Sequence, residues 1–218
     1  MDQRDKAGYE RFEHFMRDFR TESDRAAVIL GAAKLDVLLY QLLQRYLRPC
    51  TTSRDELLDG NSPLATFSSR IQVSYRLGLI DAELTRALNL IRKIRNSFAH
   101  EISTNDLSSG GHRDRVHELT AYLRDGETFE RWSSDETSEH SITSREFRAA
   151  LALISLRLEG AFNRTEPIDA SDETRLISSS VRDKILKKRA AKLKADKKKY
   201  GKSAKKRKKT PKKAKEEK

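Results

Sequence analysis

The stretch AAVILGAAKLDVLLYQLLQRYL, residues 26–47, decides the fold. Val28, Leu35, Leu38, Leu39, Leu42, Leu43 and Leu47 recur mostly at spacings of three and four, which line one face of an α-helix. This is the most apolar segment of the chain, so it reads as the central helix of a helical core. Pro49 ends it, because proline disfavours helical geometry in the residue before it. Upstream, Thr21-Glu22-Ser23-Asp24 offers side-chain acceptors for the helix start.

The flanking segments repeat the pattern. Tyr9, Phe12, Met16 and Phe19 mark a short helix within residues 1–20. Ser62-Pro63 reads as the start of another, serine capping and proline taking the first helical position. That helix carries Phe67, Ile71, Tyr75 and Leu77, and Gly78 supplies the left-handed residue that closes it. Asp81 caps the next, with Leu84, Leu88, Ile91, Ile94, Phe98 and Ile102 at helical spacing. A shorter helix is expected around residues 113–123. Residues 125–143 are polar, with Phe129 and Trp132 as isolated anchors. Thr143-Ser144-Arg145-Glu146 reads as a capping box that starts a last helix through Phe147, Leu151, Ile154, Leu158 and Phe162. No segment alternates with period two, so no sheet is expected. The reading is an all-α bundle of about five or six helices, with the main helical domain over 21–164, a linker over 165–180 and a basic tail over 181–218.

Charge divides the chain at the same place. Of 218 residues, 36% are hydrophobic and 36% charged, with a net charge of +12. Residues 182–218 hold 20 Lys and Arg against 4 Asp and Glu, whereas the other 181 hold 25 against 29. The basicity belongs to the tail and the body is mildly acidic. The end of the tail has too little apolar surface to fold alone and is expected to be disordered. Its Lys205-Lys206-Arg207-Lys208-Lys209 run suits sequence-independent binding to nucleic acid by counterion release. With Tyr200 as its one aromatic, base stacking is not expected from it.

Other classes drop out. A single cysteine, Cys50, leaves no internal disulfide framework and no multi-cysteine metal site, and it reads as an inert thiol. His112 and His117, beside Asp114 and Glu118, lack a third histidine or cysteine and are not read as a zinc site. Asp55, Glu56 and Asp59 read as a solvated acidic turn, with Gly60 free to take positive φ. No glycine-rich phosphate loop follows an apolar strand, which argues against Rossmann and P-loop enzymes; no cofactor and no metal are expected. No apolar run approaches the roughly 18–20 residues of a membrane span. The start, Met1-Asp2-Gln3-Arg4-Asp5-Lys6, lacks the apolar centre of a signal peptide, and a cytoplasmic location is expected.

The chemistry-bearing segment is Leu90-Ile91-Arg92-Lys93-Ile94-Arg95-Asn96-Ser97-Phe98-Ala99-His100. At about 100° per residue, Arg92, Asn96 and His100 stack along one flank of the helix, and Arg95 falls about 40° from Ile91 at the centre of the apolar face. A guanidinium keeps its proton, so burying it unpaired is costly. Arg95 is therefore expected to snorkel to the bundle edge or to meet an acid, a carbonyl or a phosphate. Arg70, Arg76, Arg92, Lys93 and Arg95 could together form a local basic patch.

Two resemblances attach to these residues. Arg95-Asn96-Ser97-Phe98-Ala99-His100 resembles the Arg-x4-His motif of the HEPN superfamily of helical bundles. The longer series Leu57-Leu58-Asp59-Gly60, Pro63-Leu64, Ser69-Arg70-Ile71, Tyr75, Leu77-Gly78-Leu79-Ile80, Leu90-Ile91-Arg92, Arg95-Asn96 and His100 resembles the mannitol operon repressor family, over about residues 25–160. The second resemblance implies a transcriptional regulator with no recognisable DNA-reading helix-turn-helix. The first implies a dimeric, metal-independent endoribonuclease, with Arg95 and His100 as the catalytic pair and Asn96 in support. Cleavage at a 2′-hydroxyl needs a proton acceptor titrating near neutrality and a fixed positive charge on the phosphorane, which histidine and arginine supply. On one straight helix Arg95 and His100 point about 140° apart, so that reading requires two copies of the helix meeting across a two-fold axis. A homodimer, and nucleic acid held by the tail, are the expected partners; a membrane is not. A plain helical adaptor is the third reading.

Overall fold

The computed structural model describes residues 19, 21–100, 106–124, 126–134, 138–169, 180–191 and 194. Among them the fold is all-α. Six helices build the body: α1 (Asp24–Tyr46), α2 (Phe67–Arg76), α3 (Ala82–His100), α4 (Gly110–Thr120), α5 (Glu127–Ser133) and α6 (Ile142–Arg164). Apart from Phe19, which is buried, the expected N-terminal helix lies outside the described residues. The body ends as a compact unit at Ile168. In the second unit, residues 180–191 are helical, and their apolar Val181 and Leu186 are exposed. The rest of the basic tail, and with it the expected disorder, lies outside the described residues.

α1 is the hub. It packs against α6, α3 and α2, while α6 also covers α4 and α5. Its buried residues are Ala27, Val28, Gly31, Ala32, Leu35, Leu38, Leu39, Leu42 and Leu43. By length and composition α1 could cross a membrane, which the reading of short apolar runs did not anticipate, since Lys34 and Asp36 interrupt it without making it polar. Here half of that apolar stretch is buried inside the bundle. At Gly31 a Cβ would stand 2.4 Å from Leu151 Cδ1 and 3.2 Å from the Phe19 ring, so glycine lets α1 and α6 approach closely.

The α1–α6 pair is tied at both ends. Ser23 caps α1 by accepting from the Ala26 amide at 3.2 Å, which frees Asp24 to reach across to α6. Asp24 accepts from Arg148 Nη1 at 2.9 Å, Ser144 Oγ at 2.6 Å and the Leu107 amide at 3.0 Å. At the far end Arg45 donates to the Thr165 carbonyl at 2.7 Å and lies over the Phe162 ring, and the Ile168 amide donates to the Tyr46 carbonyl at 2.7 Å. The start of α1 thus meets the start of α6 and the end meets the end, so the two helices run parallel. α3 runs the other way, because Arg25 donates to the Phe98 carbonyl at 2.7 Å near the end of α3.

Three helix starts differ from the sequence reading. α2 begins four residues after Pro63: Thr66 is its cap, accepting from the Ser69 amide while Ser69 Oγ accepts from the Thr66 amide. Residues 62–65 form a turn instead, with the Ala65 amide bonded to the Ser62 carbonyl. α6 is capped by Ser141 rather than Thr143, and Glu146 pairs with Arg124 at 3.1 Å instead of reaching back. The polar stretch after 125 contains α5, which seats Phe129 in the core with Trp132 packed against it. Gly78 (φ 71°) and the Asp81 cap, bonded to the Leu84 amide at 2.8 Å, stand where the sequence placed them.

Candidate anion-binding cleft

The residues of the longer resemblance divide into a structural set and an outward-facing set. Asp59 accepts from the Tyr40 hydroxyl at 3.1 Å, and Gly60 adopts φ 67° beneath the Arg54 guanidinium, where a Cβ would collide with it. Leu58 and Leu64 join Leu43 in a second small core. Arg70 locks this loop to the bundle. Its Nε donates to the Leu64 carbonyl at 3.0 Å, Nη2 to the Leu58 carbonyl at 3.4 Å and Nη1 to Asp36 at 2.8 Å, and the guanidinium lies over the Tyr40 ring. With its side chain only 12% exposed, Arg70 faces inward, and the basic patch suggested by the sequence does not include it.

On α3 the outward set begins one turn before the Arg-x4-His segment. Leu88, Leu90, Ile91, Ile94 and Phe98 are buried. Arg95, although it follows Leu88 and Ile91 on the wheel, is exposed, so its guanidinium reaches the bundle edge. Arg95 Nη1 donates to Asn96 Oδ1 at 3.1 Å, and neither Arg95 nor Arg92 has a carboxylate partner among the described residues. Arg92 is half-buried: its Nε is sealed from solvent with no hydrogen-bond partner, and its Nη2 makes a long 3.4 Å contact with Asn89.

Arg92, Arg95 and Asn96 line one cleft of about 350 Å³. Its floor is Ile29, Ala32 and Ala33 of α1, and its far wall is Thr66, Phe67 and Ser68 at the start of α2. Asp36 also reaches it, but that carboxylate is matched by Arg70. The two α3 arginines are therefore left as uncompensated positive charge. The first α2 amides, of Phe67 and Ser68, have no acceptor among the described residues, and such orphan donors concentrate the positive end of a helix dipole.

The remaining candidates are dispersed. Lys93 and His100 are exposed, and His100, the last residue of α3, does not line the cleft. Within one chain, Arg95 and His100 are not focused on a common point. Lys205, Lys206, Arg207, Lys208 and Lys209 lie outside the described residues. His112 is buried with its ring 4.8 Å from that of Phe98, whereas His117 is exposed and Glu118 is taken by Arg86 at 2.7 Å. Among the described residues no three His, Cys, Asp or Glu side chains gather into a metal-binding group. Cys50 is exposed, its thiol donating to the Thr52 carbonyl at 3.3 Å. The sequence reading missed Asp36, Phe67 and Ser68 as neighbours of Arg92. The Thr66–Ser69 capping spacing was the available signal for where α2 starts. No family model, no curated protein and no solved structure matches the chain.

Proposed function

We propose that this protein is a non-catalytic, homodimeric, nucleic-acid-associated regulator of the mannitol repressor-like kind, acting in the cytoplasm. Its tail would supply sequence-independent affinity and its helical body the regulatory contacts. The observation that carries the reading is the charge division: 20 Lys and Arg against 4 acids in residues 182–218, attached to a body whose remaining 181 residues are net acidic. A polycation of that density releases many counterions on meeting a phosphate backbone, so its affinity falls steeply with salt. The resemblance of residues 57–100 supports the regulatory part. The deciding experiment compares binding of DNA and RNA by the whole chain and by a variant lacking 182–218, across a salt series. The expected result is a loss of roughly tenfold or more at low salt, together with a much flatter salt dependence. Unchanged binding after the deletion rejects the tail's role.

A second reading, a metal-independent endoribonuclease using Arg95, Asn96 and His100, is favoured by one specific observation. Arg95 is exposed, bonded to Asn96 and unmatched by any carboxylate among the described residues, as an arginine awaiting a phosphate must be. Because His100 lies off the cleft, a two-fold partner would have to bring the second half of the catalytic set. Purified protein in metal-free buffer is the test. Cleavage of RNA that His100→Ala abolishes, with helical content unchanged, establishes the nuclease; no cleavage by the unaltered protein rejects it.

A further inference from the structure

The geometry points to a binding site for a terminal phosphate monoester in the cleft between α1, the start of α2 and the Arg92 turn of α3. This goes beyond the nucleic-acid reading and does not depend on it, since the tail takes no part.

Four features converge there. Arg92 brings a half-buried guanidinium with no carboxylate partner among the described residues, and burying a permanent cation without a counter-charge is costly. Arg95 adds a second positive charge at the mouth. It also occupies Asn96 Oδ1, leaving the Asn96 amide nitrogen as a donor with no acceptor among the described residues. Phe67 and Ser68 add the unbonded amides of the first turn of α2, a ten-residue helix whose start is fixed by the Thr66–Ser69 capping box. Asp36, the one acid that lines the cleft among the described residues, is already paired with Arg70, so the local balance favours an anion. The nitrogen groups left without an acceptor here are donors, and a phosphate monoester offers several acceptor oxygens and close to two negative charges near neutrality.

The cavity sets the rest of the ligand. At about 350 Å³ it lies at the small end of ligand sites, and its floor of Ile29, Ala32 and Ala33 with the Phe67 ring is apolar. That suits the compact organic part of a mononucleotide-sized monoester. The same phosphate chemistry occurs at the 5′-end of a nucleic-acid strand, and the experiment separates the two sources.

The test follows amide resonances of the uniformly labelled full-length protein while inorganic phosphate, adenosine 5′-monophosphate or adenosine is added. The Phe67 and Ser68 amides should shift with the first two and not with adenosine, and adenosine 5′-monophosphate should bind more tightly than phosphate. Arg92→Met should weaken that binding by roughly tenfold or more, the loss expected for a charge-assisted hydrogen bond, while leaving tail-driven DNA binding unchanged. Ser68→Glu is the companion variant. A carboxylate in the first turn favours the helix, so this protein should fold while filling the cleft with its own negative charge and abolishing the shifts. Shifts on adding a 5′-phosphorylated oligonucleotide, but not its 5′-hydroxyl counterpart or the mononucleotide, would assign the phosphate to a strand end. Shifts confined to residues outside the cleft, or equal binding by Arg92→Met and the unaltered protein, would overturn the site.

Discussion

The carboxylate of Asp24 shows how much a single side chain holds in this fold. Burial alone would raise its pKa, but the Ser144 hydroxyl, the Leu107 amide and Arg148 together outweigh burial and hold it below the usual aspartate range. A depressed carboxyl pKa stabilises the fold at pH values above the ordinary aspartate range, and that stabilisation is lost as pH falls through the lowered folded value. Denaturant titrations at falling pH should therefore show a stability decrement on the acid side that Asp24→Asn lacks. Arg148, 4% exposed, also donates to the Glu22 carbonyl at 2.7 Å. Replacing it by methionine strands a buried carboxylate and should cost about 3 kcal/mol by urea unfolding. None of this was legible in the sequence. Asp24 looked like one of several cap acceptors, and Arg148 lies 124 residues away. Arg95 was more legible: its exposure at the bundle edge is one of the outcomes its place on the helical wheel allowed.

Helices were legible wherever apolar residues recur at helical spacing over several turns, as in α1, α3 and α6. Their starts were not, because several serines and threonines compete for each cap and tertiary contacts choose among them. Ser62-Pro63 lost to Thr66 because the residues between them are used in a turn, with Leu64 packed beside Leu43 and Leu58. Thr66→Ala removes the side-chain acceptor of the capping box and should destabilise by about 1 kcal/mol in thermal or urea unfolding. α5 escaped notice because seven residues with one buried aromatic give no periodicity to read. The close approach of α1 and α6 can be tested directly. Gly31→Val places methyl groups against Leu151, which is fully buried and has little room to turn aside, and should cost about 2 kcal/mol despite a better helix propensity than glycine.

For the whole molecule, the all-α class and the division between an acidic body and a basic tail were plain from composition and spacing alone. The cleft was only half legible. Arg92, Arg95 and Asn96 are neighbours in sequence, but the wall opposite them comes from α2, and no periodicity reports which helix start faces which arginine. The parallel pairing of α1 with α6 was invisible as well, and it shapes how the chain comes into being. The last helix to close over α1, α6, lies about 120 residues downstream, as the separations of Asp24 from Ser144 and of Arg45 from Thr165 show. At ribosomal speeds of about 5–20 residues per second, roughly ten seconds pass between the emergence of α1 and that of α6. During that interval the nascent polypeptide displays a helix of membrane-spanning length and greasiness that α2 and α3 cover in part, and the arrival of α6 completes its withdrawal.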